Sequence, residues 1–77
     1  MQENVFYVTF RWALLGGGFG RQRAIKCCDY ESARDCASDI YSYDSIRYLK
    51  ISKRLARDCE KIVPYDKMNI KELLEEI

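Results

Sequence analysis

Residues 29–42, DYESARDCASDIYS, decide the fold. Asp29 can accept hydrogen bonds from the free backbone N–H groups of a first helical turn. Ala33, Cys36, Ala37 and Ile40 follow at i, i+3, i+4 and i+7, the spacing of a single helical face. A helix with one apolar stripe needs a surface to lie on, and the segments on both sides of it read as strands. The expected order is therefore strand, strand, helix, strand.

Upstream, residues 5–14 alternate. Phe6, Val8, Phe10, Trp12 and Leu14 fall on one face, and Val5, Tyr7, Thr9, Arg11 and Ala13 on the other. Period two with aromatic and β-branched content predicts a half-buried strand. The run Gly16-Gly17-Gly18-Phe19-Gly20 breaks that pattern and reads as a hairpin loop. Residues 21–28 then form a second strand, with Ile25 and Cys27 on one side and Ala24, Lys26 and Cys28 on the other, and with a bulge expected near the two cysteines. Downstream, Tyr43-Asp44-Ser45 turns the chain into a third strand over 46–52, with Arg47, Leu49 and Ile51 alternating against Ile46, Tyr48 and Lys50.

Residues 53–63 admit two readings. Leu55, Cys59 and Ile62 make a helical stripe, whereas a tight turn near Asp58 makes Lys61-Ile62-Val63 the second arm of a hairpin; the hairpin is favoured. Pro64 ends whichever element precedes it. A last helix is expected from Asn69, with Asn69 and Glu72 as a capping box and Ile70, Leu73, Leu74 and Ile77 as its apolar face. The fold class is thus α+β: one domain over 1–77, an antiparallel sheet of three to four strands, one helix on a face and a short C-terminal helix at an edge or end. Val8, Phe10, Trp12, Ile25, Ala33, Ala37, Ile40, Leu49 and Ile51 are the expected core.

At 77 residues, 48 % hydrophobic and 32 % charged, the chain is globular in composition but small, with modest expected stability and little room for a deep cleft. The first residues lack the basic and apolar regions of a secretory signal, and no apolar run reaches the length of a membrane span. A cytoplasmic protein without membrane association is the expectation. Four cysteines, Cys27, Cys28, Cys36 and Cys59, are then free thiols rather than a disulfide framework. Adjacent Cys27 and Cys28 would point to opposite faces of a strand and there is no His, so no metal site is expected. Cys27 and Cys36 read as small core hydrophobes.

The chain has no His to serve as a neutral-pH acid or base, and its Ser and Cys side chains have no evident base to activate them. The glycine run lacks the Lys-Ser/Thr of a phosphate loop and leads into a strand. The expectation is a protein that is not an enzyme and carries no cofactor.

Charge distribution narrows the partners. Residues 4–28 carry Arg11, Arg21, Arg23 and Lys26 with no acid, and 45–57 carry Arg47, Lys50, Lys53, Arg54 and Arg57, again with none. Residues 29–44 hold Asp29, Glu31, Asp35, Asp39 and Asp44 against Arg34, and Glu72, Glu75 and Glu76 close the last helix. Basic strands and acidic helices hide inside a net charge of +1. The sheet face opposite the helix should display Tyr7, Thr9 and Arg11 with Arg21, Arg23, Tyr48 and Lys50, and Phe19 stands at the loop tip. Tyr7, Arg11, Phe19, Arg21, Arg23, Tyr48 and Lys50 are the binding candidates, arginine for bidentate contacts and tyrosine for stacking.

Three readings follow: contact with an acidic protein surface, direct binding of DNA or RNA, or a merely solvated face whose charges discourage edge pairing. Homodimerisation through a strand edge or the 70–77 helix face is a further expectation. Replacing Arg21 and Arg23 by Glu is expected to abolish the contact and leave the fold intact.

The basic strand pair, CDYESARDCA opening the helix and SIRYLKIS returning as a strand together resemble, in layout over residues 5–52, the small β-β-α-β proteins of phages and mobile elements, anti-CRISPR proteins among them. The resemblance implies a non-enzymatic inhibitor occupying a nucleic-acid or partner site on a larger complex. Many such inhibitors are acidic nucleic-acid mimics, and the basic strands depart from that pattern.

Overall fold

In the computed structural model, which describes residues 5–75, the elements follow the order β1 (Phe6–Trp12), β2 (Arg23–Cys27), α1 (Tyr30–Tyr41), β3 (Ile46–Ser52), β4 (Lys61–Pro64) and α2 (Lys67–Glu75). The four strands form one sheet in the order β3-β1-β2-β4. The α+β class holds, but the sheet is mixed. β1 pairs antiparallel with β2 and β3, while β4 runs parallel to β2.

Asp29 caps α1 as its sequence requires: the carboxylate accepts from Ser32 N at 2.7 Å. Ala33, Cys36 and Ile40 are buried on the expected stripe and Ala37 packs at its margin. The stripe lies on Val8, Phe10, Ile25 and Cys27, and Ile70, Leu73 and Leu74 of α2 complete the same core. Of the other expected core residues, Leu49 and Ile51 pack against it half-buried, and Trp12 is likewise only partly buried.

The β1–β2 register is regular, from Phe6 opposite Cys27 to Phe10 opposite Arg23, so no bulge forms near the cysteines. The hairpin continues through a bridge between Ala13 and Phe19 and turns at Gly17 and Gly18, both at positive φ. Gly20 is required for another reason: a Cβ there would sit 2.2 Å from the Trp12 ring.

The bulge falls instead in β3. Thr9 faces Lys50 and Arg11 faces Arg47, so Phe10 alone opposes Tyr48 and Leu49. Tyr48 is the extra residue, at φ 57°. The insertion inverts the expected alternation: Ile46, Leu49 and Ile51 all join the helix-covered face, and Arg47 is on the side of Arg11 rather than with Leu49.

The hairpin expected over 53–63 is also corrected. A turn does form at Ala56–Cys59, but β4 pairs with β2 at the far edge. Gln22 draws the chain there, its Oε1 accepting from Ala56 N at 2.9 Å and its backbone carbonyl from Glu60 N at 2.8 Å. The connection crosses the sheet on the face that the helices leave open.

The last helix starts at Lys67, not Asn69, because Asp66 is the earlier acceptor, its side chain taking the Met68 N–H at 2.8 Å. Asn69 instead donates to Pro64 O. Ile77 and Glu76 lie outside the described residues.

Candidate functional site

Which side of the sheet a cation occupies follows from register. Phe10 and Trp12 share their face with Arg23, Ile25 and Cys27, and α1 and α2 cover it. Thr9 and Arg11 share the other face with Ala24, Lys26 and Lys50.

Arg23 is therefore not on the open face. It is 8 % exposed. Its guanidinium stacks over the Trp12 ring at 4.2 Å, Nε donates to Glu60 Oε2 at 3.2 Å, and Nη1 donates to Leu73 O at 3.2 Å. One side chain ties β2 to β1, to the start of β4 and to α2, a structural post. Replacing it by Glu would damage the fold, so the paired Arg21 and Arg23 reversal cannot report on binding alone.

Thr9 is a second correction. It is fully buried, as is Ala24 beside it, because the 53–60 connection lies across the middle of the open face. Tyr7 is half-buried at one end of that face, between Lys26 and Ser52. Arg21 is exposed in the loop before β2. Neither lines the pocket shared by Arg11, Tyr48 and Lys50.

Arg11, Phe19, Tyr48 and Lys50 do converge, at the other end. Tyr48 is 64 % exposed and Phe19 48 % exposed, and their rings meet edge to face with centroids 5.0 Å apart. Phe19 thus packs on the bulged tyrosine rather than on the core. Beside the pair lies a pocket of about 370 Å³ lined by Arg11, Gln22, Tyr48, Lys50 and Ala56 together with Phe10 and Leu49.

Arg11 is held loosely. Its Nη1 donates to Gly20 O at 3.4 Å and its Nη2 lies 3.9 Å from Asp58 Oδ2. Other cations are engaged elsewhere: Arg47 donates to the carbonyls of Asp44 and Ile46, and the Lys53 ammonium sits 5.1 Å from the Phe6 ring centroid.

Sequence reading misses the roles of Gln22 and Asp58, since nothing local marks residues whose partners lie tens of positions away. The bulge did leave a trace. Ile46, Leu49 and Ile51 are spaced three and then two apart, which regular alternation does not produce.

The thiols are free. Burial pushes the Cys27 and Cys36 thiols up, the two lying against each other between β2 and α1, and a thiol so held is a poor nucleophile. Among the described residues no three metal-ligating side chains cluster, and no helix is long and apolar enough to cross a membrane.

The features proposed for a dimer are occupied or blunted. The α2 face of Ile70, Leu73 and Leu74 is buried within the chain. At the edges, β3 carries a bulge and exposed charge, and β4 is short and ends in Pro64, devices that discourage strand addition.

Compared with known proteins, the chain matches no family model, no curated protein and no solved structure.

Proposed function

We propose that the chain is a non-enzymatic binding module that engages an anionic surface on a larger protein or protein–nucleic-acid complex. The reading rests on one observation: Arg11, Phe19, Tyr48 and Lys50 gather at one end of the sheet face that no helix covers. Cations supply attraction to the partner, and exposed rings supply the apolar anchor that interface hot spots use. The adjoining hairpin tip exposes Leu14 and Leu15, apolar surface that a protein partner can bury. An inhibitor of a bacterial complex, of the kind found among the phage proteins that the layout resembles, is a concrete form of this role, with the cytoplasm as its place of action. The raised Cys27 and Cys36 thiols and the lack of any His support a role without catalysis.

A second reading, direct binding of DNA or RNA, is favoured by the ring pair itself, because rings flanked by cations are what exposed bases stack upon. Fluorescence anisotropy against single-stranded and duplex DNA and RNA over a salt series tests the face. Direct nucleic-acid contact predicts binding that weakens steeply with salt and is abolished by joint Arg11→Glu and Lys50→Glu substitution, whereas no binding at low salt leaves the protein partner as the occupant of the face. Binding unchanged in that double variant would move the contact to another surface and overturn the assignment.

A further inference from the structure

The pocket at the β3 bulge has more in its lining than a general anion-binding face needs. Phosphates and carboxylates require only cations, which Arg11 and Lys50 provide from adjacent strands. The same pocket is also lined by Tyr48, and its volume of about 370 Å³ falls at the small end of the range for ligand pockets. We propose that it takes one nucleotide unit of an unpaired nucleic-acid strand, with the base against Tyr48 and the phosphate between Arg11 and Lys50. This rests on the reading of the open face as the anion-binding face and adds to it a ligand class and a position.

The backbone at Tyr48 points the same way. Its φ of 57° is a conformation that a bulky side chain adopts only under strain and that glycine adopts freely. The ring returns little to the fold, since it is 64 % exposed and its ring contact is with Phe19, itself half exposed. Strain kept at an exposed aromatic residue that lines a pocket is the pattern of a binding position.

Arg11 fits the phosphate role. Its contacts to Gly20 O and Asp58, at 3.4 and 3.9 Å, are longer than those a phosphate forms with a guanidinium. Asp58 is the one acidic side chain within ion-pair distance of Arg11 among the described residues, so it competes with the ligand. The shallow site suits a splayed base, whereas the bases of a duplex are already stacked and paired.

The test compares a short oligothymidylate with an abasic strand of equal phosphate number, by anisotropy at low salt, on the full chain. The expected result is tighter binding of the base-bearing strand by about tenfold, the scale of one base stacked on one aromatic ring. Tyr48→Gly, with a thermal midpoint at or above that of the parent, should erase that difference and keep the abasic affinity. Asp58→Asn should tighten both strands, a gain that general damage to the fold would not produce. Equal binding of the two strands by the parent chain overturns the nucleotide pocket and leaves the anion-binding face standing. Binding of neither strand, when a polyglutamate chain does bind, also overturns it and assigns the face to an acidic protein; binding of none of the three overturns the face as well.

Discussion

Arg11 and Arg23 sit on neighbouring strands, and the sheet separates them into different jobs. Arg23 is sealed under the helices, stacked on Trp12 and hydrogen-bonded to Glu60 and Leu73 O. Arg11 lies on the uncovered face with two long contacts and a pocket beside it. A guanidinium desolvated to that degree is tolerated because Nε and Nη1 both find acceptors and its flat face lies on an indole ring. Arg11, half-buried and with two long contacts, contributes little to the fold and keeps its charge for something else. The helix-covered face is thus where cations hold the domain together, and the open face is where they are available.

The largest effect should come from breaking the buried post. Arg23→Glu sets a second carboxylate beside Glu60 in a seat that excludes water, and a loss of about 3 kcal/mol or more is expected in urea unfolding. Arg11→Glu should change stability by no more than about 0.5 kcal/mol while removing binding. Equal losses of stability in the two variants would dissolve the distinction between the faces.

Gly20→Ala is next. The new methyl would meet the Trp12 ring at 2.2 Å, pushing the indole off the Arg23 guanidinium, and a cost of about 1–3 kcal/mol is expected from overpacking of this kind. Calorimetry of this variant alone and combined with Arg23→Ala should give less than additive losses, because both act on one stack.

A smaller contrast separates Tyr48→Gly from Tyr48→Ala. Both delete the ring, but only glycine relieves the positive φ, so the glycine variant should be the more stable by about 1 kcal/mol.

The smallest effect concerns the α1 cap. The Ser32 N–H holds the Asp29 carboxyl below its usual range. Its folded-state value being depressed, the cap contributes fully above the ordinary carboxylate range and that contribution is lost as pH falls through the folded value. Asp29→Asn, which also caps, should lower the thermal midpoint little at neutral pH and shrink the loss seen between about pH 6 and about pH 3.

Much of this was legible in the residues, because the legible parts are local. Asp29 and the Ala33, Cys36, Ala37, Ile40 stripe announce α1, and the alternation in β1 announces its buried side. The position of Arg23 could also be read: it alternates with Ile25 and Cys27 and so shares their apolar face, a signal that outweighs its place in a run of basic residues. The parallel seat of β4 could not, since it depends on Gln22 and Ala56 meeting across 34 positions. The cover over Thr9 follows from that same connection. Candidate binding residues chosen by charge and side-chain type therefore divide: Arg11, Phe19, Tyr48 and Lys50 converge, Tyr7 and Arg21 stand apart, and Arg23 belongs to the fold.

The most direct measurement is an NMR titration of the isotope-labelled chain with a single-stranded oligonucleotide at low salt, following backbone amides together with the arginine Nε–H signals. The expected result is perturbation concentrated at Arg11, Phe19, Gln22 and residues 48–50, with the Arg23 Nε–H unmoved. Shifts centred on the exposed side of α1, or an Arg23 signal that moves with Arg11, would contradict the division of labour between the two faces.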